Sequence, residues 1–131
     1  MGVTLLVQTG RNATKEDTMC RKQINIYIAG PMAGKEKFNH PAFDAAEQSL
    51  KSKGIYKPYN PALADREGGL STAELQERIE DKAIVKRVLK RDVDAIFECS
   101  SIYMLRGWEH SKGARMEHAL AVALGYSVQY Q

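Results

Sequence analysis

Short apolar runs alternate with longer stretches of helical periodicity along most of this chain. Residues 24–29 form a β-branched run that a Gly-Pro pair ends, and this pattern predicts a first strand. The shorter runs at residues 55–57, 101–105 and 126–130 predict three more strands. Because helical stretches separate these runs, the pattern is typical of an α/β protein with a mostly parallel sheet of four or five strands.

The stretches between the predicted strands carry helix start and stop signals. Asn39 or His40 would cap the first helix, and Gly54 is typical of a helix end. A Ser-Thr-Ala-Glu capping box opens the second helix, which continues with or without a break. The predicted helices span residues 39–54, 71–98 and 112–124, with loops predicted at residues 34–38 and 58–69.

The order of these elements predicts a topology and a place for ligands. Right-handed crossovers give a flavodoxin-like or Rossmann-like three-layer sandwich with strand order 2-1-3-4. Ligands of such folds bind where the C-terminal ends of the first and third strands meet, which here are the loops at residues 30–34 and 106–108. Residues 1–22 are polar and turn-rich, which predicts a flexible arm before a single domain over residues 23–131.

Composition and charge narrow the classes of partner. The net charge is +3, and basic residues cluster only within residues 82–91, where helical spacing predicts a solvated helix face. We therefore expect no nucleic-acid polymer as partner. Cys20 and Cys99 lack the spacing of metal ligands, so we expect neither a metal nor a cofactor. Since no apolar run approaches about 18 residues, we expect no membrane span and a cytosolic protein.

The segment from Trp108 to Glu117 is the strongest candidate for chemistry. It runs from a loop into a helix, whose first backbone N–H groups and positive dipole end suit a phosphate near Ser111. Glu117 follows on a helix with mostly small or apolar neighbours, and a carboxylate there needs a reason. Trp108 would either cap the core or stack on a base. Asp92 precedes the third strand, and aspartates on a charged helix usually lie at the surface.

Three motifs lie at these junctions: Tyr-Ile-Ala-Gly-Pro-Met at residues 27–32, Arg-Asp-Val-Asp at residues 91–94 and Ser-Lys-Gly-Ala-Arg-Met-Glu at residues 111–117. As a set they resemble the nucleoside 2-deoxyribosyltransferase superfamily, and in particular its small phage and bacterial branch of the DUF4406 type. That branch shares Ile-Ala-Gly-Pro-Met, Asn-x-Pro-Ala-Phe and Gly-Trp-x-x-Ser-x-Gly-Ala-x-x-Glu, here at residues 28–32, 39–43 and 107–117. The superfamily includes 2'-deoxynucleoside 5'-monophosphate N-glycosidases.

The resemblance implies an enzyme acting on the N-glycosidic bond of a nucleoside or nucleotide. It gives Glu117 the role of the nucleophile that attacks the anomeric carbon. Tyr27 would orient that carboxylate, and Asp92 would hold a sugar hydroxyl or assist protonation of the leaving group. The resemblance also implies a homo-oligomer. Two other classes stay open: a non-catalytic nucleotide-binding module of the same fold, and a structural protein that keeps only the fold.

Position at the switch point, for the loop after the first strand, and the resemblance, for the others, assign residues that would bind the substrate. The loop after the first strand would approach the ligand, the helix start would hold a 5'-phosphate, and three further side chains would line the base pocket. In that order these residues are Gly30, Pro31 and Met32, then Ser111 and Gly113, then Asn39, Phe43 and Trp108. The monophosphate glycosidases carry an arginine near the place of Ala33, where Lys35 and Lys37 are possible substitutes.

Overall fold

The computed structural model describes residues 22–68 and 81–131 of the chain. Within them, strands β1 to β4 are in turn Ile24–Ala29, Tyr56–Tyr59, Ser101–Met104 and Ser127–Tyr130. They form one parallel sheet in the order β2-β1-β3-β4. This confirms the predicted α/β class, the parallel sheet and the strand order.

The helices of the described residues cover both faces of the sheet. Helices α1 to α4 are in turn His40–Ser52, Pro61–Glu67, Lys82–Phe97 and Lys112–Ala123, and short 3-10 turns occupy Glu36–Asn39 and Trp108–His110. None of these helices combines the length and the apolar character needed to cross a membrane.

Helix α2 lies in a stretch predicted as a loop, so that prediction was wrong. Asn60 is the N-cap residue of this helix. Its side-chain oxygen accepts hydrogen bonds from the amides of Ala62 and Leu63 at 2.9 and 3.3 Å. Pro61 occupies the first turn, where a missing N–H costs nothing. The preceding strand β2 extends through Pro58, which an edge strand tolerates because one side of its backbone needs no partner in the sheet.

Two predicted segments fall wholly or largely outside the described residues. The flexible arm, predicted for residues 1–22, lies outside them up to residue 21, and the capping box at residues 71–74 also lies outside. The described part of the second predicted helix begins at Asp81, whose carboxylate accepts hydrogen bonds from the amides of Ala83 and Ile84. Helix α3 therefore has its own N-terminal cap.

The central strand β1 separates two apolar clusters. Ile26 and Ile28 face α1 and α2, in a cluster that includes Phe43 and Leu50. Tyr27 and Ala29 point to the opposite face, where the partners come from α3 and α4. Because successive side chains of a strand point to opposite faces, the side chain of Tyr27 points to the layer that contains α4.

Gly30 ends β1 in close contact with the loop after β3. A Cβ atom at Gly30 would lie 2.7 Å from the Cβ of Leu105, whereas a Cβ at Gly113 would meet no neighbour within 4 Å. We expect Gly30→Ala to lower the free energy of unfolding by about 1–3 kcal/mol, because a packed neighbour must move. Gly113→Ala is the matched control, and its effect should stay within about 1 kcal/mol. Urea unfolding measures both, and equal effects would show that the close approach to Leu105 is not what requires glycine.

Candidate functional site

A pocket of about 300 Å³ opens beside the C-terminal end of β1. Its wall combines the loop after β1, one face of α3 and the first turns of α4, with Phe43 and Pro61 completing it. The pocket lies at the switch point between β1 and β3, where crossovers leave in opposite directions and ligands of such folds bind. Of the predicted site residues, it is lined by Tyr27, Gly30, Met32, Phe43, Asp92, Ser111, Gly113 and Glu117.

A short hydrogen bond joins Tyr27 to Glu117 in the wall of this pocket. The Tyr27 hydroxyl donates to Oε2 of Glu117 at 2.6 Å, and the two residues are 0% and 8% exposed. Burial, followed by the negative charge of Glu117, raises the pKa of Tyr27 well above its ordinary value of 10.0. The phenol therefore stays protonated at neutral pH and serves as a fixed donor to the carboxylate.

One face of α3 forms an apolar wall that ends in a carboxylate. Val85, Val88, Leu89 and Asp92 all line the pocket, and they recur at the i, i+3, i+4 and i+7 spacing of one helix face. Asp92 is only 8% exposed, so the expectation that it lies at the surface was wrong. Val85, Val88 and Leu89 fall within the second predicted helix, but the sequence pattern did not link them to the site. The available signal was the acid at the end of an otherwise apolar stripe.

Arg91 holds Asp92 from the side. Its Nε and Nη2 donate to Oδ1 of Asp92 at 2.9 and 2.6 Å, and Nη2 also lies 2.9 Å from Oδ1 of Asp65, which is fully buried. Burial acts to lower the pKa of Arg91, but the charges of Asp92 and Asp65 outweigh it and raise that pKa above its ordinary value. The prediction of a solvated basic face is therefore wrong for Arg91, although Lys86 and Lys90 are exposed.

The start of α4 brings a helix N-terminus to the pocket. Ser111 is its N-cap, and its hydroxyl accepts a hydrogen bond from the amide of Ala114 at 3.2 Å. Gly113 also lines the pocket, and without a side chain it leaves the first turn of the helix accessible there. Backbone N–H groups at such a position can bind an oxyanion.

Asn39 shapes the loop after β1 and is not among the described residues that line the pocket. With Lys37 and Phe38 it adopts the left-handed region, at φ of 61°, 52° and 52° respectively. Its side-chain amide donates to the carbonyl of Pro31 at 2.9 Å, and its side chain makes no cap to α1. Asn39 therefore occupies the predicted N-cap position of α1, but without a side-chain cap hydrogen bond. The loop that carries Met32 is tied to the start of α1 through Pro31, which likewise does not line the pocket.

Trp108 packs on the core beside the pocket. Its ring stacks on His118 with centroids 4.2 Å apart, and it contacts the apolar cluster beneath α4. His118 Nε2 lies 2.9 Å from the hydroxyl of Tyr130. Because Trp108 is outside the described pocket lining, the geometry favours the core-capping alternative over base stacking.

The described residues offer no obvious place for a metal ion. Within residues 22–68 and 81–131, no group of three or more His, Cys, Asp or Glu side chains is arranged to hold one. The half-buried thiol of Cys99 has its pKa raised by burial to about 11, so it is protonated at neutral pH. The acidic groups of the pocket and its phenol are therefore the candidates for chemistry.

Residues 24–130 match a family model described as "Domain of unknown function (DUF4406)". The matched range contains the sheet, the described helices and every residue that lines the pocket. No curated protein matches the chain.

Removing the Tyr27 hydroxyl tests the central hydrogen bond. We expect Tyr27→Phe to lower the free energy of unfolding by about 1.5–3 kcal/mol at pH 7, because a buried carboxylate loses a donor while the ring packing remains. The folded-state pKa of Tyr27 is raised above 10.0, so its contribution is full below pH 10 and declines as the pH rises further. Urea unfolding from pH 7 to 11 should show a constant difference between the two proteins up to about pH 10 and a shrinking one above. A difference that grows above pH 10 would contradict this assignment.

Proposed function

The chain belongs to the DUF4406 family, and we propose that it is an enzyme that cleaves or transfers an N-glycosidic bond. The substrate is a nucleoside or deoxynucleoside, or its 5'-monophosphate. One observation carries the proposal: a buried carboxylate, Glu117, lines a pocket and accepts a 2.6 Å hydrogen bond from the buried Tyr27. The likeness to nucleoside 2-deoxyribosyltransferases in three separated motifs supports the same reaction.

The reaction uses the Glu117 carboxylate as nucleophile. An oxygen of Glu117 forms a bond to the anomeric carbon while the bond to the base breaks and its electron pair leaves with the base. Water or a second base then attacks the same carbon and releases the carboxylate. The Tyr27 hydroxyl fixes the orientation of Glu117, because the Tyr27 ring is packed in the buried cluster and cannot change its rotamer freely.

Asp92 is the second acid of the proposed site. It lines the same pocket from α3, so a substrate between the two helices would contact both carboxylates. Its role is either to accept a hydrogen bond from a sugar hydroxyl or to assist protonation of the leaving base. The apolar face formed by Val85, Val88 and Leu89 suits a planar base, because burial of apolar ring surface is favourable.

A nucleotide-binding module without turnover is the alternative. The pairing of Asp92 with Arg91 favours it, because a carboxylate committed to an ion pair is a poorer proton donor. Such a module would use the same pocket and the same helix start. A substitution at the proposed nucleophile separates the two functions, since binding alone does not need one.

We expect Glu117→Gln to abolish turnover, with a loss of at least about a thousandfold, because an amide is a far weaker nucleophile than a carboxylate. Chromatography of released base from a panel of nucleosides and nucleoside monophosphates measures this. Glu109→Gln is the matched control, because Glu109 is exposed in the neighbouring 3-10 turn. Residual activity within about tenfold of wild type would move the nucleophile elsewhere. Binding of nucleotides by the wild type without any released base would favour the binding module.

The helix start at Ser111 predicts a preference for the monophosphate. A charge-assisted contact contributes about 1.5–3 kcal/mol, so removing the 5'-phosphate should cost at least about tenfold in kcat/KM. Ser111→Ala should weaken activity on the monophosphate selectively, whereas Ser52→Ala, at the exposed end of α1, should change neither activity. Equal efficiency on nucleoside and monophosphate would leave Ser111 as a helix cap only. Ala33 lines the pocket near the place where the monophosphate glycosidases carry an arginine, so a phosphate would lack that cation here.

A further inference from the structure

Arg91 connects three elements around the pocket. It extends from α3 to Asp65 on α2 and turns back to the neighbouring Asp92 on its own helix. Its positive charge also acts on the phenol of Tyr59, where it partly offsets the increase in pKa that burial causes. The Tyr59 ring in turn lies parallel to that of Tyr27, with centroids 5.5 Å apart and planes 12° apart.

The contact between Arg91 and Asp92 is not an ordinary consequence of helix geometry. Residues at i and i+1 point in different directions from a helix, so the guanidinium must fold back to reach Asp92. Asp65 supplies the reason, because its fully buried carboxylate lies 2.9 Å from Nη2 of Arg91. A buried charge of this kind is strongly favoured to keep a cationic partner. The guanidinium is therefore held at one side by an acid that does not line the pocket, and it holds at the other an acid that does.

We propose that Arg91, anchored by Asp65, is a positioning residue that fixes the carboxylate of Asp92 in the wall of the pocket. The role of this pair in turnover rests on the proposed function, while the positioning itself does not. Two donor groups from one planar guanidinium converge on Oδ1 of Asp92 and fix the place of that oxygen, a forked contact that a single ammonium does not reproduce. Asp92 thereby acts as a fixed hydrogen-bond acceptor for a sugar hydroxyl, and the proton for the leaving base comes from another group or from water.

The first test reads the position of Asp92 without any activity. The side-chain carboxyl carbon of Asp92 is observed by NMR and assigned by its loss in Asp92→Asn. We expect the signal to shift or broaden in Arg91→Lys and in Asp65→Asn, although Asp65 lies on another helix. It should stay unchanged in Lys90→Met, which removes the exposed neighbouring pair of Lys90 with Asp94. An unchanged signal in both Arg91→Lys and Asp65→Asn would overturn the proposal.

The second test reads turnover on whichever substrate the panel identifies. We expect Arg91→Lys and Asp65→Asn each to lower kcat at least about tenfold and to change KM by less than about threefold. A misplaced Asp92 carboxylate reduces stabilisation of the transition state more than it reduces binding of the substrate. In an Asp92→Asn background the same two changes should have almost no further effect on kcat. Effects that persist undiminished in that background would show that Arg91 acts by another route. Absence of turnover in the wild type would defeat the proposed function, while the NMR result would still decide whether Arg91 positions Asp92.

Discussion

The hydrogen bond between Tyr27 and Glu117 is the constraint around which the pocket is organised. It joins the central strand to α4, so the sheet and one helix layer meet at a polar contact inside an apolar cluster. A carboxylate with 8% exposure loses most of its hydration, and an unsatisfied one would be costly. The phenol supplies a donor without adding a second charge. The position of Glu117 at the pocket wall is thus set by the buried part of β1, residues 26–29.

Several acidic side chains are buried, and the acid away from the pocket has different partners from the acids beside it. Glu47 on α1 accepts a hydrogen bond from Asn60 and pairs with Lys51 at 3.0 Å, outside the pocket lining. That arrangement ties α1 to the start of α2. Asp65 and Asp92 instead share the guanidinium of Arg91. Its positive charge partly neutralises both carboxylates beside the pocket. The helices are therefore joined by polar contacts as well as by the two apolar clusters.

The strands and their order could be predicted because both follow from local patterns and general rules. The β-branched run of β1, its end at Gly30 and the alternation that directs Tyr27 are all readable along the chain. Helix α2 was missed even though Asn60 and Pro61 form a helix-start signal, because the following seven-residue helix is too short for a clear period. The role of Asn39 depends on a left-handed backbone, which Asn tolerates but does not require.

The surroundings of Arg91 were not predictable from the helix that carries it. The exposed bases Lys86 and Lys90 precede it on α3, and Asp65, the buried acid that anchors it, lies on another helix. Sequence patterns report which face of a helix is apolar, but not which long side chain folds back towards it. Association into a homo-oligomer and the cytosolic location stay predictions. Each depends on surfaces or ligands that a single chain does not define.

The two acids of the pocket accept hydrogen bonds from different groups, Arg91 and Tyr27, and in the proposed reaction this bears on which acid attacks. Asp92 accepts two hydrogen bonds from a cation, and such bonds draw electron density from the carboxylate more strongly than neutral ones do. Glu117 accepts a hydrogen bond from a neutral phenol that remains protonated well above neutral pH. A neutral donor orients a carboxylate while leaving more of its charge available for a developing oxocarbenium ion. These two contacts support the proposal that Glu117 is the nucleophile and that Asp92 holds the sugar.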